Sequence, residues 1–330
     1  MAQDPLTCLV GDIGGTNVRL AVADLATGSP QLSSPKSFPR ARFPSLGEVI
    51  DRYLAGARLP PMVVVAVAGP IQDGEVRLTN GQWFISEEAL RQKGFILARL
   101  INDYAALAYA VEHLKGNDLA AVGGQHAGIP GATVGVVGAG TGLGVSALVR
   151  DANSSSVMVT EGGHIAFAPV DDTEFEIVRL LARRYERVSV ERVLSGPGLA
   201  NLYWALELLH GGKGGDLPPE EITKRAIARS DALCVEVLDR FCGIYGRFAG
   251  DVALAFGARG GMYLGGGIAP RLLDQLNSGT FRRCFEDKAR FTSYVGNIPT
   301  KVIVHPYATL LGSAEAAVRA AADPKTGIRP

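Results

Sequence analysis

One device occurs twice in this chain, and it constrains the fold more than any other feature. Residues 9–24 read LVGDIGGTNVRLAVAD: a short apolar strand, a Gly-rich turn, and a second apolar strand at 18–23. Residues 134–150 repeat the plan as VGVVGAGTGLGVSALVR, with strands at 134–137 and 145–149 around another Gly-rich turn. Each is a strand–turn–strand hairpin that can open its own α/β unit. A repeat of this kind predicts two similar α/β domains with a cleft between them.

The remaining pattern fits that plan. Ser45 and Glu48 have capping-box spacing ahead of a helix running to about residue 57. MVVVAVA at 62–68 reads as a buried strand, 96–101 as another, and Asn102-Asp103 precedes a helix over 105–114. Further helices are expected at 174–186, 198–209, 220–229 and 231–256, with GGKGG at 211–215 as a surface turn. Gly243, Gly246 and Gly250 in the longest helix suit close helix packing. A strand at 262–264 runs into Gly265–Gly267; a helix at 270–276, a strand at 301–305 and a helix at 309–322 follow. If the last helix packs back on the first domain, the domains are 1–113 plus 306–330, and 114–305.

Composition then excludes several classes. Lys plus Arg and Asp plus Glu number 33 each, so the chain carries no net charge, and no basic stripe suggests a nucleic-acid partner. The longest apolar segment, 233–258, is broken by Glu236, Asp239, Arg240, Arg247 and Asp251, which argues against a membrane span. No basic-then-apolar leader is visible, so a cytoplasmic protein is expected. Cys8, Cys234, Cys242 and Cys284 have neither CxxC nor metal-type spacing and read as reduced core thiols; Asn153-Ser154-Ser155 reads as an accidental glycosylation match.

The chemistry sits in the glycines. No GxxxxGK[ST] is present, and Leu143 stands where a dinucleotide fingerprint needs its third glycine. What remains is Gly11-Asp12-Ile13-Gly14-Gly15-Thr16, then Gly138-Ala139-Gly140-Thr141-Gly142, and the run Gly265-Gly266-Gly267. Glycine lets backbone N–H groups approach phosphate oxygens with no Cβ in the way, and a threonine adds a hydroxyl. Asp12, at a strand end, could orient Mg²⁺ through its water shell. Asp103, just past another strand, is either a helix cap or a general base.

These three segments resemble the phosphate-1, phosphate-2 and adenosine motifs of the superfamily that joins actin, the heat-shock ATPases and sugar kinases. Within it the chain resembles the bacterial glucokinase family. The resembling stretches are GDIGGTNVRLA, LTNGQW, INDYAA, GAGTGLGV, EGGHIAFAP, ERVLSGPGLANLY, GGGIAPR and FEDKARF, in family order over nearly the whole chain. The resemblance implies two ribonuclease-H-like, actin-like ATPase domains and an ATP- and Mg²⁺-dependent kinase that phosphorylates D-glucose at its 6-hydroxyl.

It assigns Asp103 as the base and Asn80, Asn102, Asp103, Glu161, His164 and Glu191 to the sugar. The nucleotide falls to Gly11, Asp12, Ile13, Gly14, Gly15, Thr16, Gly138, Gly140, Thr141, Gly142, Gly265, Gly266 and Gly267. It further implies a homodimer and no resident metal, Mg²⁺ arriving mainly with ATP. No cysteine lies in 165–179, where a neighbouring family of repressors and kinases places a zinc site, and the first loop starts at Gly11, leaving no room for an N-terminal DNA-binding helix-turn-helix. The other readings are a kinase for mannose or an N-acetylated amino sugar, a non-kinase ATP-dependent switch, and a sugar-sensing regulator.

Overall fold

The computed structural model describes residues 6–26, 29–78, 83–124, 126–151 and 154–323. The chain forms two compact units, Met1–Gly116 with His305–Pro330, and Asn117–Val304.

The first unit contains β1 (Thr7–Ile13), β2 (Asn17–Asp24), β3 (Gln31–Pro39), β4 (Met62–Val67), a small ribbon of β5 (Glu75–Arg77) and β6 (Phe84–Ser86), and β7 (Leu97–Asn102). Its main sheet has the order β3-β2-β1-β4-β7; β1, β2 and β3 are antiparallel, and β4 runs parallel to β1 and β7. Alternate residues of the central strands face opposite layers, as the two-residue strand period requires. Leu9, Ile13, Val63 and Val65 pack with Val49, Ile50 and Tyr53 of α1 (Leu46–Leu54). Cys8, Val10, Met62 and Val64 pack against Leu310, Ala314 and Ala317 of the C-terminal helix, Ala308–Ala322. Both faces are therefore covered, which is why β4 is apolar at every position. Ser45 caps α1 by accepting the Glu48 N–H at 3.3 Å, and the helix ends where Ala55 turns left-handed. After the short α2 (Glu87–Gln92), β7 leads into α3 (Asp103–Ala110), which starts two residues earlier and ends four residues earlier than the sequence pattern suggests.

The second unit repeats the arrangement. Its strands are β8 (Leu119–Val122), β9 (Val134–Ala139), β10 (Leu143–Arg150), β11 (Ser155–Thr160), β12 (Gly261–Gly265) and β13 (Thr300–Ile303), in the order β11-β10-β9-β12-β13-β8. The first five strands of that order match the first unit in sequence and direction, with β8 added antiparallel to β13. The duplication visible in the two hairpins thus extends through five strands.

Helices α4 (Asp172–Leu181), α5 (Gly196–Leu209), α6 (Pro219–Ile227) and α7 (Ala232–Phe256) follow β11. Buried residues of α7 run through the core of this unit, where Tyr245 donates its hydroxyl to the Val137 carbonyl at 3.2 Å. Gly246 and Gly250 lie on the carbonyl oxygens of Phe281 and Phe285, so these glycines serve packing. The expected 270–276 helix is instead a 3₁₀ turn, Ala269–Leu272, followed by one α-helical turn, Leu273–Leu276.

Candidate active site

In the first unit, strand register gathers two motifs at one sheet edge. Ile13 pairs with Val67 across β1 and β4, and Val67 pairs with Asn102 across β4 and β7. The turn after β1 and the Asn102-Asp103 pair therefore emerge at the same end of the sheet, two strand spacings or roughly 10 Å apart. Carboxyl ends of parallel strands are where open α/β sheets hold ligands.

Residues of the first glycine turn divide by role. Gly11 is buried, and a Cβ there would lie 3.1 Å from Leu20 and 3.2 Å from Val65; Ile13 is also buried in the core. These two set the strand. Gly15 and Thr16 are exposed, Gly14 donates its N–H to the Asn17 carbonyl at 3.0 Å, and a Cβ on Gly15 would meet nothing within 4 Å. Asp12 faces Arg19 across the hairpin, with Arg19 Nη1 3.0 Å from Asp12 Oδ2. Burial pushes the Asp12 carboxyl above its ordinary range, and the Arg19 charge opposes that shift.

Asn102 is the N-cap of α3. Its Oδ1 accepts the N–H groups of Tyr104 at 2.9 Å and Ala105 at 3.2 Å. Those two donors fix the amide's orientation, so Nδ2 is the face that remains to donate outward. Capping thus falls to Asn102 and not to Asp103, which is the first helical residue and accepts the Tyr104 N–H at 3.0 Å. Asn80 lies outside the described residues.

The second unit presents the corresponding edge. Gly138 pairs with Gly265 across β9 and β12, bringing the second glycine turn beside the Gly265–Gly267 run. Gly140 donates to the Gly142 carbonyl at 2.8 Å, closing a tight turn with Thr141 exposed at its tip. Gly266 has φ of 78° and lies against the Ala139 carbonyl, a conformation and proximity that exclude a side chain. Gly267 is exposed, with nothing near a hypothetical Cβ.

The EGGH segment and Glu191 meet on a single residue of this turn, Leu143. Leu143 donates its N–H to Glu191 Oε2 at 2.8 Å, while Gly163 lies against the Leu143 carbonyl so closely that no Cβ fits. Val190 donates to the Ile165 carbonyl at 3.0 Å and Phe167 to Val188 at 3.1 Å, which holds the two segments side by side. Glu161 and His164 flank the glycines with exposed side chains, His164 Nε2 being 3.9 Å from Glu161 Oε2.

Sequence reasoning overlooked Gly196. Its N–H donates to the Gly140 carbonyl at 2.7 Å, and it opens α5 behind the cap Ser195, whose Oγ accepts the Gly198 N–H at 3.0 Å. The Ser-Gly-Pro-Gly string was a legible helix start; its partner in the turn was not.

The Glucokinase family model matches residues 9–320. A glucokinase of Caulobacter sp. (strain K31) is 46% identical over 311 residues, covering 93% of this chain and 94% of that protein. A glucokinase of Caulobacter vibrioides (strain NA1000 / CB15N) is 44% identical over 314 residues, with the same coverage of 93% and 94%. The crystal structure of a glucokinase from an Antarctic psychrotroph superimposes with a TM-score of 0.85 at 36% identity, covering 95% of this chain and 99% of that one. A Balamuthia mandrillaris glucokinase, solved in complex with glucose, shares the fold at 22% identity with a TM-score of 0.77, covering 96% and 95%. Duplicated sheets with glycine turns at their carboxyl ends are the actin-like ATPase fold, here in a hexokinase-type sugar kinase. The chain belongs to the glucokinase family.

Proposed function

We propose that the enzyme transfers the γ-phosphoryl group of ATP to the 6-hydroxyl of D-glucose, giving glucose 6-phosphate and ADP. The observation that carries this reading is the register Ile13–Val67–Asn102, which puts a glycine turn fit for phosphate beside a carboxylate at one sheet edge.

Asp103 takes the proton of the sugar hydroxyl as its oxygen bonds to the γ-phosphorus and the bond from that phosphorus to the β–γ bridging oxygen breaks. Asn102, its Oδ1 committed to the helix cap, donates from Nδ2 to a sugar oxygen. Glu161, His164 and Glu191 receive and orient the other hydroxyls, and Asn80 joins them on the family resemblance. Carboxylate acceptors penalise an epimer that leaves one of them unpaired.

Backbone N–H groups of the two glycine turns and the Gly265–Gly267 run hold the triphosphate. Mg²⁺, when bound, neutralises charge on the transferring phosphoryl group. A single carboxylate such as Asp12, with one oxygen engaged by Arg19, fits an ion that keeps most of its waters and takes its other ligands from phosphate. Among the described residues, no group of three His, Cys, Asp or Glu side chains is arranged to hold a metal.

Free thiols at Cys8, Cys234, Cys242 and Cys284 suit a reducing, cytoplasmic setting. A homodimer and a role at the entry to glycolysis rest on the family resemblance.

The test is a coupled assay with ATP and Mg²⁺ against glucose, mannose and N-acetylglucosamine. Glucose should give the highest kcat/KM, with sugar phosphate formed in step with ADP. ADP release without sugar phosphate sinks the kinase reading, and a preference for either other sugar sinks the choice of glucose.

A further inference from the structure

We propose that Glu191 is a positioning residue for the second glycine turn as well as a sugar ligand, so that it couples sugar and nucleotide binding. This rests on the reading above, in which that turn holds phosphate and Glu191 meets a sugar hydroxyl.

One short segment grips the turn at both ends. Glu191 Oε2 accepts the Leu143 N–H at 2.8 Å, and five residues on, Gly196 donates its N–H to the Gly140 carbonyl at 2.7 Å. Leu143 pairs with Ala139 as the last rung of the β9–β10 ladder before the turn, so the carboxylate holds the point at which the turn begins to diverge. The segment is itself braced: Ser195 Oγ donates to the Glu191 carbonyl at 2.8 Å and accepts the Gly198 N–H at 3.0 Å. Packing leaves the carboxylate little freedom, because a Cβ on Gly142 would lie 2.7 Å from Glu191 Oε2.

A carboxylate has two oxygens, and a sugar hydroxyl that donates to Oε1 fixes the plane in which Oε2 must sit. The sugar thereby acts on the Leu143 N–H and on the turn beside it. Such coupling is reciprocal: whatever factor the sugar contributes to nucleotide affinity, the nucleotide contributes to sugar affinity.

The experiment titrates MgAMPPNP by calorimetry into wild type, Glu191→Ala and Glu191→Gln, each with and without saturating glucose, and titrates glucose into each protein alone. Glutamine keeps an acceptor for Leu143 in its amide oxygen; alanine does not. Sugar-free Glu191→Ala should bind MgAMPPNP about tenfold more weakly, the loss expected for a charge-assisted hydrogen bond, with Glu191→Gln recovering most of it. Glucose should tighten MgAMPPNP about fivefold or more in wild type and lose that effect in Glu191→Ala.

If sugar-free Glu191→Ala binds MgAMPPNP as wild type does, the positioning role is overturned. If it loses MgAMPPNP affinity but keeps glucose affinity, the positioning role stands and the sugar assignment fails. Should Glu191→Ala not fold, Gly142→Ala decides. Its methyl displaces the carboxylate from the turn side and should weaken glucose binding; unchanged glucose affinity in that variant overturns the coupling.

Discussion

Gly312 of the C-terminal helix rests on the carbonyl oxygen of Ala106 in α3, with no space between them for a Cβ. The next residue, Ser313, donates its hydroxyl to the Thr309 carbonyl at 2.9 Å and reaches the Gly11 carbonyl at 3.5 Å. One helix therefore touches both the element that carries Asp103 and the strand that leads to the first glycine turn. Gly312→Ala should force the two helices apart at a cost of about 1–3 kcal/mol and lower kcat along with the melting temperature. Thermal unfolding and steady-state kinetics check this; a variant with both values unchanged would show that the crossing tolerates a methyl group.

Asp103→Asn preserves shape while removing the proposed proton acceptor. It should fold as wild type does, retain glucose affinity, and lose on the order of 10²–10⁴ in kcat. Circular dichroism, glucose calorimetry and the coupled assay together decide it. Turnover near the wild-type rate would take Asp103 out of the chemistry.

Asn102 caps α3, and two substitutions separate that task from its proposed contact with the sugar. Asn102→Asp keeps an oxygen for the Tyr104 and Ala105 N–H groups but removes the Nδ2 donor, so stability should hold while KM for glucose rises. Asn102→Ala loses the cap as well and should cost about 1 kcal/mol. Urea denaturation paired with kinetics distinguishes them. An unaltered KM in Asn102→Asp would leave this residue with capping alone.

Much of this was readable from the chain because the decisive elements are local. Six consecutive apolar residues at Met62–Val67, four of them valine, read as a short strand covered on both sides, and each glycine turn is bounded by its own strands. The edge strands β3 and β11 were missed for the opposite reason. QLSSPKSFP is mostly exposed, polar and proline-bearing, SSVMVT is half exposed with serine and threonine at its ends, and each pairs along one side only. Contacts such as Glu191 with Leu143 and Gly312 with Ala106 join segments far apart in sequence, and no local pattern announces them. The sugar residues Glu161, His164 and Glu191 owe their assignment to family resemblance; alone, each is an ordinary surface or loop side chain.

Asp12 carries a charge that burial disfavours and that its proposed contact with Mg²⁺ requires. Its folded pKa lies above the ordinary 3.8, since burial outweighs the Arg19 charge. A carboxyl raised in this way binds its proton more tightly when folded, so its favourable contribution exists below the unfolded pKa and disappears as pH climbs through the folded value. At pH 7 the charged form therefore costs stability, and Asp12→Asn should make the ligand-free protein more stable there. That advantage should shrink as the pH falls through the raised folded value and be gone below about 3.8, while kinase activity of the variant at neutral pH falls. Urea titrations at pH 7 and pH 3.5 test the sign; a less stable variant at pH 7 would mean that the Arg19 pair outweighs burial.

Gly15 and Gly267 show no need for glycine on the protein's own account, having open space where a Cβ would sit and no left-handed φ. Alanine at either position should leave the melting temperature unchanged or raise it, since it narrows the unfolded ensemble by about 0.4–1 kcal/mol. MgAMPPNP affinity should nevertheless fall. Wild-type nucleotide binding in both variants would exclude these two positions from the phosphate contacts.

The C-terminal helix also has a consequence for biosynthesis. A ribosome releases the strands of the first sheet early, yet the layer that covers Cys8, Val10, Met62 and Val64 is encoded by residues 308–322, after the whole of the other unit. Residues 117–304 form an uninterrupted stretch that can complete its fold while translation continues. The half that bears Asp103 must wait with one apolar face uncovered, so nonsense or frameshift changes within or shortly before codons 308–322 should strike the sheet that leads to Asp103 first.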